Sequence, residues 1–270
     1  MLYRGMDRAQ LDAGYNNGAA VPARDAIIAD WAKRSDRLRG QHQGHLDLQY
    51  GDSPRERVDL FLAANPKAPT LAFIHGGYWQ MNNKEDYAFL GEGTLPHGVN
   101  LALIEYTLAP AARLDRIVAE VRRATQFLAE HLGDYGADPS RLYISGHSAG
   151  GHLTAMTIPL RVVRGGIAIS GIFDLEPIRL NYLNENSGST RRRRSATVRS
   201  CISRRWRVSW SSPTAQTSCR NYAASRSTTR KPGSSASWPA ICCRSTAPTI
   251  SPSSRLSPTP KARWCKRCSR

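Results

Sequence analysis

The last 85 residues of this 270-residue chain contain no aspartate, no glutamate and no histidine, and the first 185 contain no cysteine. Charge is split along the same line. Residues 1–185 hold 19 basic and 21 acidic side chains, a net of −2, whereas residues 186–270 hold 19 basic side chains and none acidic. The sequence pI of about 10.2 is therefore a property of the tail, not of the chain that precedes it. No run of about 18 apolar residues exists, which excludes a helical membrane span. Met1 to Asp7 lacks the apolar core of a secretory signal, so the cytoplasm is the expected compartment, and a cysteine-free first part agrees with it. The length allows one large domain or two small ones and is ample for a buried core.

Residues 1–185 read as one domain with an entry arm over 1–44. Tyr15-Asn-Asn-Gly18 is a turn signal, and Ile27, Ile28, Trp31 and Ala32 give a single helical pattern after it. Leu46–Tyr50 and Arg57–Leu62, separated by Gly51-Asp-Ser-Pro54, predict an antiparallel pair of strands. Thr70–Ile74 and Asn100–Tyr106 are continuous apolar runs, the pattern of strands buried on both faces; Lys84–Leu95 reads as a helix between them. Leu114, Ile117, Val118, Val121, Ala124, Leu128 and Leu132 recur at three and four, a helix that Gly133 ends. A strand at Leu142, a helix from His152 to Thr157 and a strand at Gly166–Ser170 complete an alternation that predicts a mostly parallel sheet with crossover helices.

Between those last elements lies Gly146-His-Ser-Ala-Gly150, a Gly-x-Ser-x-Gly turn from strand to helix. Small residues at Gly146, Ala149, Gly150 and Gly151 allow the sharp turn, which would leave the Ser148 hydroxyl proud of the sheet and the Ala149 amide at a helix N-terminus. The same residues also suit a plain glycine-rich turn. His75-Gly-Gly-Tyr-Trp79 follows a strand, where the amides of Gly76 and Gly77 would converge with that of Ala149 on a carbonyl oxygen; the plainer reading of Gly76-Gly77 is a flexible turn.

The pair His75-Gly-Gly-Tyr-Trp-Gln80 and Gly146-His-Ser-Ala-Gly-Gly-His-Leu153, with Tyr106-Thr-Leu-Ala-Pro110 between, resembles the kynurenine formamidase (arylformamidase) branch of the α/β-hydrolases. Related carboxylesterases usually carry a third glycine where Tyr78 stands. The resemblance spans residues 45–185 and implies an α/β-hydrolase fold, a mostly parallel sheet with helices on both faces, here with its C-terminal part missing or disordered. It implies cofactor-free and metal-free hydrolysis of a small molecule, N-formylkynurenine or a similar aryl formamide or ester. Ser148 would be the nucleophile, Gly76, Gly77 and Ala149 the oxyanion donors, and Tyr78 or Trp79 would lie against an aromatic substrate. One departure is severe. The family's order is serine, acid, histidine, yet no histidine follows His152, and the only later carboxylates are Asp174, Glu176 and Glu185, which suit loop or substrate-rim positions. His75, His147 and His152 are poorly placed as substitutes, so the chain as written is expected to be catalytically impaired.

The tail, residues 186–270, has 20 serines, four consecutive arginines at 191–194 and no sustained period. Its charge and Trp206, Trp210, Trp238 and Trp264 invite a nucleic-acid partner, but no binding module is recognisable. Cys242, Cys243, Cys265 and Cys268 invite a metal, but with one Cys-x-x-Cys and no histidine. A shifted reading frame accounts for the whole composition. Permitted codons for Ser245–Ser253, read two letters on, give Asp-Gly-Thr-Asp-His-Phe-Thr-Ile, and Ser211–Arg220 at the same offset gives Val-Ala-Tyr-Gly-Ala-Asp-Glu-Leu-Pro: a histidine loop, and a strand followed by acids.

Overall fold

A computed structural model describes residues 1–187, together with the backbone of Trp206–Ser209 and Ile241–Ser245. The entry arm holds two helices where the sequence reading gave one: α1 (Arg8–Gly14) and α2 (Arg24–Gln41). The missed helix starts with a capping box in which Asp7 and Gln10 bond each other's backbone amides. Helix α2 turns Leu38 and Ser35 inward and leaves Ile27 and Ile28 exposed, so the apolar residues that marked it are not the ones it buries.

Strands β1 (Gly44–Gln49) and β2 (Arg57–Phe61) form the expected antiparallel pair, and β3 (Thr70–Ile74), β4 (Asn100–Ile104), β5 (Leu142–His147) and β6 (Gly165–Ile169) run parallel in the order β4-β3-β5-β6. Strand β2 joins the parallel set through an antiparallel ladder to β4. Two strands in the tail, β7 (Trp206–Ser209) and β8 (Ile241–Ser245), add antiparallel to β6 in the order β6-β8-β7. No sequence period announced them; the remaining tail features, the arginine run and Cys265 and Cys268 among them, lie outside the described residues.

Alternation along the central strands explains their unbroken apolar sequence. Ala72 and Ile74 of β3 and Ala102 and Ile104 of β4 pack on one side beneath Ile117, Val121, Ala124 and Leu128 of α4 (Leu114–His131). Phe73, Leu101 and Leu103 face the other side, against Leu38 of α2 and Tyr87 and Leu95 of the intervening segment. That segment is not the single helix expected over Lys84–Leu95. It is a 3-10 turn (Lys84–Leu90), a short α3 (Gly91–Thr94) and another 3-10 turn. Each fully buried branched side chain in these layers contributes about 1.5–3 kcal/mol. Helix α5 (Ala149–Thr157) follows β5 directly; α6 (Glu176–Arg179) and α7 (Asn184–Ser187) follow β6. Covering stops at β5 and β6: Tyr143, Ile167 and Ile169 share the face opposite α5 and are 40%, 44% and 37% exposed.

Among the described residues no helix is long and apolar enough to cross a membrane.

Candidate active site

Ser148 sits between β5 and α5 with φ 56° and ψ −117°, a conformation costly for any residue with a side chain. Sheet contacts hold it there. Its amide donates to the Ile169 carbonyl of β6 at 2.8 Å, and its carbonyl accepts from His152 at 3.1 Å to start the helix. The glycines around it are required by close backbone approach. A Cβ on Gly150 would collide with the Ile74 carbonyl oxygen, one on Gly146 with that of Gly150, and one on Gly151 would lie 2.8 Å from Ile169 O. The turn is thus pinned to β3 on one side and β6 on the other, with Ser148 half-buried and Ala149 opening the helix.

The loop after β3 meets this turn. A Cβ on Gly76 would lie 3.2 Å from Ser148 Cβ and 2.9 Å from the His147 carbonyl oxygen, so Gly76 and the serine touch. Gly77 has φ +104°, and a side chain there would strike the Met81 carbonyl. Tyr78 and Trp79 continue in the left-handed region at φ 51° and 61°; the Gly77 carbonyl accepts from Gln80 and Met81, and the Trp79 carbonyl from Ala109 at 2.8 Å. Of the residues expected to act together, Gly76 lies against Ser148, Ala149 follows the serine, and Gly77 and Tyr78 follow Gly76 in a second tight turn. The Gly76 amide also faces the Tyr87 hydroxyl, which leaves Gly77 and Ala149 as the less engaged donors.

The two aromatic candidates differ. Tyr78 is half-buried, its hydroxyl donates to the Tyr15 carbonyl at 3.1 Å, and burial, with Tyr182 and Tyr15 nearby, pushes that phenol up to about 12. Trp79 is 2% exposed and meets His152 edge-on at 5.3 Å, so its ring backs the elbow helix and does not line an open surface.

The three early histidines stand in different surroundings. His152 is fully buried, burial lowers its imidazole to about 4, and both ring nitrogens and Trp79 Nε1 lack hydrogen-bond partners among the described residues. His147 is exposed at the end of β5. His75 is buried and bonded to Glu105 at 2.9 Å. The later carboxylates are committed elsewhere. Asp174 accepts from the Tyr3 hydroxyl and the Glu176 amide and lies 3.6 Å from Arg4, Glu176 pairs with Arg179, and Glu185 pairs with Arg8. The entry arm thereby straps the segment after β6, a contact across more than 160 residues that no local pattern announces. Glu105 was also missed; its signal was a carboxylate directly after a continuous apolar strand, where a charge needs a reason. Among the described residues no His, Cys, Asp and Glu cluster suits a metal ion.

The comparisons with known proteins agree with this geometry. The BD-FAE family profile matches residues 58–165. Kynurenine formamidase of Danio rerio is 30% identical over 199 residues, 68% of this chain and 67% of that protein. The chain belongs to the kynurenine formamidase family. A second kynurenine formamidase, from Salmo salar, is 32% identical over 56% of the chain, which spans about half (53%) of that relative's length. Isoprenylcysteine alpha-carbonyl methylesterase of Arabidopsis thaliana is 31% identical over 43% of the chain and 28% of its own length. A crystal structure from a Silicibacter species, described provisionally as a thioesterase, superposes with a TM-score of 0.64 at 30% identity, covering 70% of this chain and 73% of that one. This formamidase-family chain thus has the α/β-hydrolase fold, and its relatives are hydrolases.

Proposed function

We propose that the chain is a serine hydrolase of aryl formamides or carboxylic esters, with an N-formylkynurenine-type substrate, and that as written it turns over slowly. The strained Ser148 elbow, in contact with Gly76 and opening α5, is the observation that carries this reading; the kynurenine formamidase relatives supply the substrate class. In acylation Ser148 Oγ attacks the formyl carbon, and the carbonyl oxygen takes up negative charge facing the amides of Gly77 and Ala149, with that of Gly76 beside them. The C–N bond then breaks, the aryl amine leaves with a proton, and water hydrolyses the formyl-serine to formate and free serine. Tyr78, half-buried in the turn after Gly77, is the side chain that an aromatic leaving group would meet in this reading. In the α/β-hydrolase order the triad acid and histidine follow the serine; in this sequence no histidine follows His152, and in this reading water takes the serine proton.

Catalysis then rests on oxyanion stabilisation and binding, which in a triad-deficient serine hydrolase leaves about 10³-fold or more over water. Hydrolysis of N-formylkynurenine and of an activated aryl ester should exceed the buffer rate and fall several powers of ten short of ordinary turnover, and Ser148→Ala should leave only the part that water attack at the oxyanion site supplies. Full enzyme rates sink the missing base; a rate no higher than that of buffer sinks the hydrolase reading.

The tail's composition supports a frame change near Glu185 as the origin of that loss. The gene's codons, read two letters on, should encode an acid and then a histidine, and stop codons there refute the idea. A nucleic-acid partner for the 19 basic tail residues is the rival reading; it requires a salt-dependent mobility shift of labelled RNA by the whole chain.

A further inference from the structure

Directly behind the Gly76-Gly77 turn lies a buried polar node whose parts come from four places in the chain. The His75 ring is sandwiched by aromatic neighbours, stacked on Tyr106 at 4.3 Å with 9° between planes and facing Tyr87 at 6.1 Å. Tyr106 in turn donates its hydroxyl to the His75 carbonyl at 3.2 Å. At one edge of the ring, Nε2 lies 2.9 Å from Glu105 Oε1; at the other, Nδ1 lies 2.8 Å from the Gly76 carbonyl oxygen. Glu105 is saturated with donors. Oε1 also accepts from Arg55 at 2.7 Å and from the Tyr106 amide at 3.0 Å, and Oε2 accepts from the Lys84 amide at 2.9 Å. Arg55 further donates to the carbonyls of Tyr106 and Asn82 and to the Asn83 side chain, which fixes the turn between β1 and β2 against the same node.

The donor count decides the state of the ring. A peptide carbonyl only accepts, and so does an ionised carboxylate. Glu105 is ionised: burial alone would raise its carboxyl, but the Arg55 guanidinium and the amides of Tyr106 and Lys84 donate to its two oxygens, and it lies below the usual glutamate range. Both ring nitrogens of His75 therefore face acceptors, and both must donate. A neutral imidazole has one N–H and cannot satisfy both contacts.

The acceptor at Nδ1 is the one that matters for chemistry. The Gly76 carbonyl and the Gly77 N–H belong to one planar trans peptide and point in opposite directions, so fixing the carbonyl fixes where the Gly77 N–H aims. A charged donor on the carbonyl oxygen also polarises the peptide and strengthens its N–H as a donor. We propose that His75, held as an imidazolium by Glu105, is a positioning residue that fixes and polarises the Gly76–Gly77 peptide so that the Gly77 N–H is aimed at the oxyanion. This goes a step past the proposed function and rests on it, in that Gly77 is taken there as an oxyanion donor. The imidazolium touches no substrate atom; it acts through one peptide bond.

Selective ¹⁵N-histidine labelling of the unaltered chain reads the ring state without any catalysis. At neutral pH one buried histidine should show directly bonded protons on both ring nitrogens, both slow to exchange, while buried His152 shows one. If no buried ring carries two such protons, the imidazolium is refuted whatever the kinetics show. In Glu105→Gln, with folding checked by circular dichroism, the ring should lose one of the two protons. The residual kcat for an aryl ester should fall about tenfold or more at unchanged KM, as expected when an oxyanion donor is mis-aimed; Glu105→Asp should recover part of both signals. A folded Glu105→Gln protein with unchanged kcat overturns the positioning role. Ester hydrolysis no faster than in buffer overturns the hydrolase reading and the positioning role with it, while leaving the ring-state result standing.

Discussion

His152 and Gly150, two residues apart, show how differently single side chains are constrained at this elbow. His152 is buried with no hydrogen-bond partner among the described residues, and burial lowers its imidazole to about 4. Unfolded, it would titrate near the ordinary histidine value, so between about pH 6.5 and about pH 4 the unfolded chain binds a proton that the folded one refuses. The sign follows: His152 leaves the fold intact above that window and destabilises it progressively as pH falls through it, by roughly 3 kcal/mol at the acid end. Urea titrations at about pH 7 and pH 5 should show this loss, and His152→Leu should flatten it. An equally steep loss in the variant would mean that other groups carry it. Gly150→Ala tests the opposite kind of constraint. Its methyl would overlap the Ile74 carbonyl oxygen, backbone against backbone, so a loss of several kcal/mol or failure to fold is expected. An ordinary melting temperature for that variant would show that the turn can open. The glycine pattern made this turn legible from sequence, because close backbone approach leaves a compositional trace. The buried histidine left none, since its burial depends on Trp79 arriving from another strand end.

Helix α4 shows at the element scale what periodicity can and cannot reveal. Its apolar stripe was plain in the sequence and is the face that packs. Glu120, on the same helix, is a charge that no apolar stripe marks, yet it is fully buried, accepting from the Thr107 amide at 2.8 Å and from Arg116 at 2.8 Å. It fastens the helix to the loop after β4. Glu120→Ala should cost about 1–3 kcal/mol by orphaning the Thr107 amide, whereas Arg116→Ala, at an exposed guanidinium, should cost less than about 1 kcal/mol. Chemical denaturation of both variants checks the ranking, and equal losses would show that the ion pair, not the amide, is what counts. The parallel strands were readable to within a residue or two because both of their faces are apolar. The entry arm was not, because α1 buries only Leu11 and docks through polar contacts to Tyr182 and Glu185, while Tyr3 ahead of it reaches Asp174, all distant in sequence.

At the scale of the molecule, the described residues dress the sheet on both faces over β2, β3 and β4 and leave one face uncovered over β5 and β6. Tyr143, Ile167 and Ile169 form that bare strip, and an exposed apolar sheet face attracts dyes and other chains. Ile167→Thr with Ile169→Thr should lower the binding of a hydrophobic dye and retard aggregation with no loss of folded signal; unchanged dye binding would place the sticky surface elsewhere. The elbow has a different consequence for how such an enzyme comes into being. Among the described residues its pinning contacts reach no further along the chain than Gly171, so those that shape the Ser148 turn have been synthesised once the turn after β6 has emerged. Domains fold from the N-terminal side during translation, and in this order the nucleophile's turn is set before any later residue can reach it. A ribosome-stalled chain with residues 1–187 clear of the exit tunnel should already protect the backbone of Gly146–Gly151 from proteolysis. A hydrolase assembled in that sequence passes through its synthesis with its serine shaped but unarmed, and gains the power to cut only with its final strands.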